Sequence, residues 1–282
     1  KHDDYGNIIS INNVECDFVF DCTGFRRELI GKVYNKKWKS YQSFLPIKKA
    51  IPFFLPTDNK PYTQAIAMKY GWVWKIPLQH RYGAGYIFDS DYITEEQAFN
   101  EAKEMFPEIE YTRTINFDAG RYEETWEKNC IAVGLSSGFT EPLEATSIWM
   151  ATEQLRALET FIDVMFTNDK DTKQEYNKLI AGNNDMVAEF LYFHYMSKRH
   201  DSLFWHEFGD KNVLPDFEYK LEQIKKGNLR WYHTQGKDMT STFNLMSWLH
   251  VGEGLGLIKD ISIKGYENLR PSVEEYGQNL PR

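Results

Sequence analysis

Between Asn129 and Phe166 the sequence passes from a short apolar run, through a glycine-punctuated loop, into a long segment with helical periodicity. That order constrains the chain more than any other feature. Cys130 to Val133 has the length and composition of a fully buried strand. Gly134 and Gly138 frame a loop whose backbone can take φ > 0 or approach a ligand closely. Pro142 suits the first turn of a helix, where its missing N–H costs nothing. Ile148, Ala151, Leu155, Leu158, Ile162 and Met165 then recur every three or four residues, which predicts one buried helix face. Strand, glycine loop and helix N-terminus in succession make an anion- or cofactor-binding arrangement, because free N–H groups and the positive end of the helix dipole converge there. Glu141 and Glu144 are expected in one turn, on neighbouring positions of one face. Acidic residues in a first turn also serve simply to complement the dipole.

The remaining bounds are broad. A chain of 282 residues with 42% hydrophobic content can bury one large core or two modest ones. A net charge of −8 argues against nucleic acid or an anionic membrane as partner. No run approaches the ~18 uncharged apolar residues of a membrane span, and no secretory signal opens the chain. Cys16 and Cys22, read on one strand, would lie ~20 Å apart, beyond the ~7 Å limit for a disulfide. A reducing, cytoplasmic setting fits best. The opening residues Lys1 to Gly6 are charged turn material, and no Gly-x-Gly-x-x-Gly follows a strand near them. Gly83-Ala84-Gly85 has no helix behind it and fails the context test. The chain therefore reads as the later part of a longer protein.

In chain order, Gly6 to Ile11 and Val14 to Phe20 are strand-like and flank Asn12-Asn13, a hairpin signal. Lys32 to Lys49 reads as an irregular connection whose lysines form a solvated face. Thr63 to Asp89 is β-rich, and alternation puts Trp72, Trp74 and Ile76 on one strand face. Thr94 and Gln97 form a capping box ahead of a helix to Met105. Arg113 to Tyr122 is strand-like. From Lys173 onward the pattern is helical, with an aromatic-rich run at Ala188 to Ser197 and a further amphipathic run from Tyr219 to Ile224. The tail beyond Lys259 is polar and weakly patterned.

Four strings carry a resemblance. Gly134-Leu135-Ser136-Ser137-Gly138-Phe139, followed by Glu141-Pro142-Leu143-Glu144 and Thr146, resembles the signature of the flavin-dependent tryptophan-halogenase family. Trp72-x-Trp74-x-Ile76-Pro77 is similar to the motif that separates that family from flavin monooxygenases. Asp21-Cys22-Thr23-Gly24-Phe25-Arg26 resembles a cofactor-side string of the same enzymes, and Ser247-Trp248-Leu249 with Gly252, Gly254 and Gly256 resembles their closing segment. The likeness extends over about residues 14–258.

The resemblance implies a mixed α/β fold: a flavin monooxygenase-like FAD-binding part with a β-sheet floor over residues 1–168, and a helical substrate-binding region over 169–282. It implies that reduced FAD, supplied by a separate flavin reductase, and O₂ convert chloride or bromide into hypohalous acid, which travels to a separate pocket and halogenates an electron-rich arene. Thr23, Gly24, Gly134, Leu135, Gly138 and Ile148 would face the flavin. The backbone amides of Thr146 and Ser147 would hold the halide; the family usually has Gly at the second position. Glu144 would be the catalytic carboxylate, its lysine partner lying upstream in the family. Trp72 and Trp74 would wall the flavin from the substrate, and no metal is implied. Phe204 and Trp205 match the pair that sandwiches an indole. Phe193 and His194 stand where two tyrosines hold the amino-acid end, and His200 where a glutamate does; loss of that carboxylate argues against free tryptophan. The N-terminal part of the same protein and a small aromatic substrate are the implied partners, and self-association is compatible. An aromatic hydroxylase and a non-catalytic module binding an aromatic ligand stay open as alternatives, the first disfavoured by Trp72-x-Trp74 and by Leu135 where hydroxylases carry Asp.

Overall fold

The computed structural model describes residues 1–57, 60–167, 169–234 and 242–258; the weakly patterned tail beyond Lys259 lies outside them. In chain order the first strands are β1 (Ser10–Ile11), β2 (Val14–Glu15), β3 (Val19–Asp21), β4 (Trp38–Ser40), β5 (Lys49–Leu55), β6 (Gln64–Ala67), β7 (Gly71–Pro77) and β8 (Tyr82–Phe88). Helix α1 (Glu95–Met105) precedes β9 (Ile115–Asn116), β10 (Gly120–Tyr122), β11 (Trp126–Glu127), β12 (Cys130–Ala132) and β13 (Gly138–Phe139). The rest is helical: α2 (Thr146–Phe161), α3 (Lys170–His194), α4 (Leu203–Lys211), α5 (Phe217–Lys225) and α6 (Leu245–Gly254). The fold is thus mixed α/β. Among the described residues no helix is long and apolar enough to cross a membrane.

The largest sheet is antiparallel throughout, in the order β6–β7–β8–β5–β9. Alternation along its strands sorts side chains to two faces. Val73, Tyr86, Phe88, Ile51 and Phe53 point toward α1, which buries Ala98 and Ala102 against them. Thr94 caps that helix, in a reciprocal capping box with Gln97. Trp72, Ile87 and Ala50 point the other way, into a second cluster with Phe190, Phe193 and Trp248 from the helices. This core is continuous across residue 168. Gly85 lies opposite Trp74, and the indole lies across it: a Cβ there would meet the Trp74 ring at 2.2 Å and the Ile51 carbonyl at 2.9 Å.

Two smaller sheets frame the rest. β13–β10–β4 is antiparallel, whereas β12 runs parallel to β3 and antiparallel to β11. At the hairpin, Asn12 and Asn13 both take φ > 0 (49° and 66°) between β1 and β2. The Lys32–Lys49 segment is less irregular than expected, because it contributes β4 and buries Tyr41, Leu45 and Ile47. Its lysines lie in ion pairs: Lys32 with Glu28, Lys36 with Glu124 and Glu127, Lys37 with Glu123, Lys39 with Asp185 and Lys48 with Asp91.

Helix α2 departs from the expected register in two ways. It begins at Thr146, not at Pro142, because Glu144 and Ala145 are left-handed (φ 59° and 50°) and break the chain's entry. Its buried face carries Thr146, Met150, Gln154, Ala157 and Leu158, while Ile148, Leu155 and Ile162 are exposed (75%, 54% and 58%). The polar Gln154 decides the face. Its amide donates to the Ala132 carbonyl (3.1 Å) and accepts from the Gly134 N–H (2.9 Å), so burying it satisfies the end of β12.

Helix α3 is clamped to the small sheets by side chains. Asn177 accepts from the Thr125 and Trp126 amides (2.8 Å each) and donates to the Trp126 carbonyl (3.0 Å). Arg121 on β10 grips Asp185 through two bonds of 2.9 and 2.8 Å, and Tyr41 donates to the same carboxylate. The helix ends beside Tyr195, whose hydroxyl donates to the fully buried Glu141 (2.5 Å) and accepts from the Trp72 indole N–H (3.0 Å). Trp72 also reaches Glu141 at 3.4 Å. Burial pushes the Glu141 carboxyl up to about 7 against the pull of these two donors.

Two outcomes follow. Gly85→Ala should cost about 1–3 kcal/mol, since the Trp74 ring must leave its place; unchanged urea unfolding and unchanged tryptophan fluorescence would show that the indole does not lie on this backbone. Glu141 binds its proton more tightly folded than unfolded, 7 against 4.5. Its contribution to stability is therefore complete below 4.5 and lost as pH rises through 7, with a slope approaching about 1 kcal/mol per pH unit in between. Glu141→Gln should flatten that stretch of the stability profile, measured by urea denaturation across the window; an identical slope in both proteins would place the titration elsewhere.

Candidate active site

The carboxyl ends of the parallel pair β3 and β12 bring two turns together. After β3, the buried Asp21 accepts from the Thr23 amide (3.1 Å) and hydroxyl (2.6 Å) and from the Leu29 and Ile30 amides (2.9 Å each). Burial opposes its ionisation, but these donors prevail and hold the carboxyl below its ordinary value. The Thr23 hydroxyl also accepts from the Glu28 amide (2.9 Å), so both of its roles are spent within the turn. Gly24 is left-handed (φ 64°), and the position of its absent Cβ is open space. After β12, Gly134 is left-handed as well (φ 63°), and the Ser136 hydroxyl donates to the Gly24 carbonyl (3.3 Å), tying the two turns. Bare backbone at the carboxyl ends of adjacent parallel strands is where open α/β sheets hold ligands. Leu135 is half-buried in the second turn. Gly138 does not share this opening. A Cβ there would meet Asn184 of α3 at 2.8 Å, so this glycine serves the packing of β13.

The chain then turns into α2. The Thr140 and Thr146 hydroxyls meet at 3.3 Å, and Thr146 also donates back to the Leu143 carbonyl (3.3 Å). Among the described residues α2 has no side-chain cap and no acidic group in its first turn. No first-turn carboxylate among the described residues compensates its positive end. The Ser147 hydroxyl is buried there and finds no partner among the described residues. An orphaned O–H beside first-turn N–H groups suits a small anion.

Glu141 and Glu144 do not share a face. The left-handed corner sends Glu141 inward to Tyr195 and leaves Glu144 half-exposed, with Oε1 3.3 Å from Nε2 of His194. The His194 hydrogen bond, opposed by burial, holds the Glu144 carboxyl below its ordinary value. His194 ends α3, and its Nδ1 donates to the Phe190 carbonyl (2.8 Å).

The other expected substrate residues are dispersed. Phe193 is fully buried and stacks on Trp248 at 5.1 Å; Phe204 is fully buried and edge-on to both Tyr195 and Trp205. Trp205 stacks on Tyr195, and its N–H donates to the Met68 carbonyl (2.7 Å). These contacts make Phe193 and Phe204 core residues in this structure. His200 is exposed, with its ring 5.7 Å from that of His206. Trp72 is buried, edge-on to the half-buried Trp74 (6.5 Å, 69°). Sequence reasoning missed Tyr195, Gln154 and the pairing of Glu144 with His194. The aromatic run at 188–197 flagged Tyr195 only as apolar mass. Nothing local announces a contact between residues 50 positions apart.

Residues 6–268 match the family model described as tryptophan halogenase. Tryptophan 7-halogenase RebH of Lentzea aerocolonigenes is 30% identical over 92% of this chain and 53% of its own length. Tryptophan 6-halogenase SttH of Streptomyces toxytricini is 35% identical over 74% of this chain and 42% of its own length. The solved structure of SttH superposes with a TM-score of 0.82 at 28% identity, over 100% of this chain and 60% of that one. Xcc4156, a flavin-dependent halogenase from Xanthomonas campestris, superposes with a TM-score of 0.80 at 28% identity, over 92% and 53%. The chain spans about half the length of these curated relatives. Its signature strings stand on the turns after β3 and β12 and at the entry to α2, and on those grounds the chain belongs to the tryptophan halogenase family.

Proposed function

We propose that this chain carries the halide-handling and arene-facing part of a flavin-dependent halogenase. The observation that carries the reading is the entry to α2, where a helix end with no first-turn carboxylate and an orphaned Ser147 hydroxyl directly follows the strained, half-exposed Glu144. Thr23 and Gly24, through backbone only, with Gly134, Leu135 and the exposed Ile148, would line the flavin. The open backbone at Gly24 supports that fit. Bound reduced FAD, recharged by a separate flavin reductase, would supply with O₂ the oxidising power that turns a halide into an electrophile.

The chain's own residues would do the rest. First-turn amides of Thr146 and Ser147, with the Ser147 hydroxyl, hold the halide without a charged side chain. Trp72 and Trp74, on the strand backed by Glu141 and Tyr195, keep flavin and arene apart. Glu144 accepts the proton that the ring loses, which is general-base work. The substrate is an electron-rich arene, neutral or anionic. Phe193 is buried and packed on Trp248, and the exposed His200 carries no fixed negative charge, so neither position offers a substrate ammonium a partner, and burying one unpaired would cost several kcal/mol. The reductase contact, docking of the remainder of the protein, self-association and a cytoplasmic setting, which suits the free Cys16, Cys22 and Cys130, belong to the same proposal.

In the full-length protein, Glu144→Gln should lower halogenation by about 10²-fold or more while consumption of O₂ and reduced flavin continues. Normal product formation from that variant, followed by mass spectrometry, would reduce Glu144 to a loop residue. Across a panel of indoles, phenols and anilines, free tryptophan should rank low in kcat/KM. If it ranks first, the reading that this chain offers a substrate ammonium no partner is wrong.

A further inference from the structure

We propose that His194 is the charged partner of Glu144, a positioning residue that keeps the carboxylate ionised and aimed, not a contact for the substrate. The inference rests on the reading of Glu144 as the base for the arene. Nδ1 lies 2.8 Å from the Phe190 carbonyl and Nε2 3.3 Å from Glu144 Oε1. Both neighbours are acceptors when the carboxyl is ionised. A neutral imidazole has one N–H and can donate to only one of them, whereas the doubly protonated ring donates to both. The ring stands in the last turn of α3, where the negative end of the helix dipole favours a cation.

The ring is also held in place. Phe190 meets it edge to face at 4.9 Å, and the His194 side chain is 19% exposed against 44% for Glu144. Among the described residues, the hydrogen-bonding groups on the imidazole are the Phe190 carbonyl of α3 and Glu144 from the loop before α2. From the other side, the left-handed pair Glu144–Ala145 turns the carboxylate away from the start of α2 and toward α3. Two consecutive non-glycine residues in that conformation carry a strain that persists only where the surroundings impose it.

This arrangement suits the base that the reaction needs. Transfer of halogen from hypohalous acid to Ar–H gives Ar–X and water. The C–X bond forms from ring π electrons as the O–X bond breaks and its pair leaves with hydroxide; the C–H pair then returns to the ring, the proton passes to the base, and its onward transfer to hydroxide gives water. A ring carrying both H and X at one carbon is a far stronger acid than any carboxylic acid. The base must therefore be ionised and aimed rather than strongly basic. His194 holds Oε1 and leaves Oε2 for the proton.

The test is a cycle of variants in the full-length protein loaded with FAD, halide and reductase. His194→Phe should lower kcat on the order of tenfold with little change in KM, and His194→Gln, which keeps an N–H donor of similar reach, should recover part of it. Added to Glu144→Gln, His194→Phe should cause no further loss. A rise in KM at unchanged kcat, or full additivity with Glu144→Gln, overturns the proposal and makes His194 a substrate contact. Carbon-13 NMR titration of the Glu144 carboxyl supplies a readout independent of turnover: its midpoint should lie below that of an ordinary glutamate and rise in both His194 variants. A midpoint indifferent to His194 overturns the pairing. Should Glu144→Gln leave halogenation intact while that midpoint still moves, the pairing stands and the reading of Glu144 as the base fails.

Discussion

The grip of Arg121 on Asp185 is the contact from which the geometry of the site descends. It fastens α3, near its middle, to the β13–β10–β4 sheet, with Tyr41 and Lys39 on the same carboxylate. Arg121 is almost fully buried, so loss of Asp185 would strand its charge, whereas Asp185 is 39% exposed and also pairs with Lys39. Burial opposes ionisation of Asp185, yet hydrogen bonds from Arg121 and Tyr41 keep it below its ordinary value. A helix pinned there, and again at Asn177, delivers its last turn to a defined place. That turn carries His194 to Glu144 and is followed by Tyr195, which reaches Glu141.

The two glutamates illustrate how a local break directs chemistry. In a regular helical turn they would lie side by side and share an environment. The left-handed corner at Glu144 and Ala145 separates them. One becomes a buried acid that holds its proton near neutrality; the other becomes a half-exposed carboxylate kept ionised by an imidazole. Two carboxyls with opposed environments can serve opposed purposes. Here the buried one braces Trp72 and the exposed one pairs with His194.

The same entry explains the polar choice made by α2. Gln154 is the only side chain that both serves the end of β12 and receives the Gly134 amide among the described residues. Turning it inward rotates Ile148, Leu155 and Ile162 outward. Of the apolar row expected to define a core face, Leu158 stays in the core while Ile148, Leu155 and Ile162 become surface.

Much was legible in the chain before folding. The Asn12-Asn13 hairpin, the Thr94–Gln97 cap, the alternation across Trp72 and Val73 and the buried strand at Cys130 follow from local dihedral preference and period, which neighbours in sequence decide alone. The family strings placed Glu144, Thr146 and Ser147 at one entry for the same reason: they are contiguous. What contiguity could not supply was rotation and partnership. The face α2 buries depended on an unpaired carbonyl and amide at the end of β12. The burial of Phe193 and Phe204 depended on which aromatic rings arrived beside them. The meeting of Glu144 with His194 depended on where α3 was clamped, because a hydrogen bond between residues 50 positions apart exists only once the helix between them has been set against its sheet.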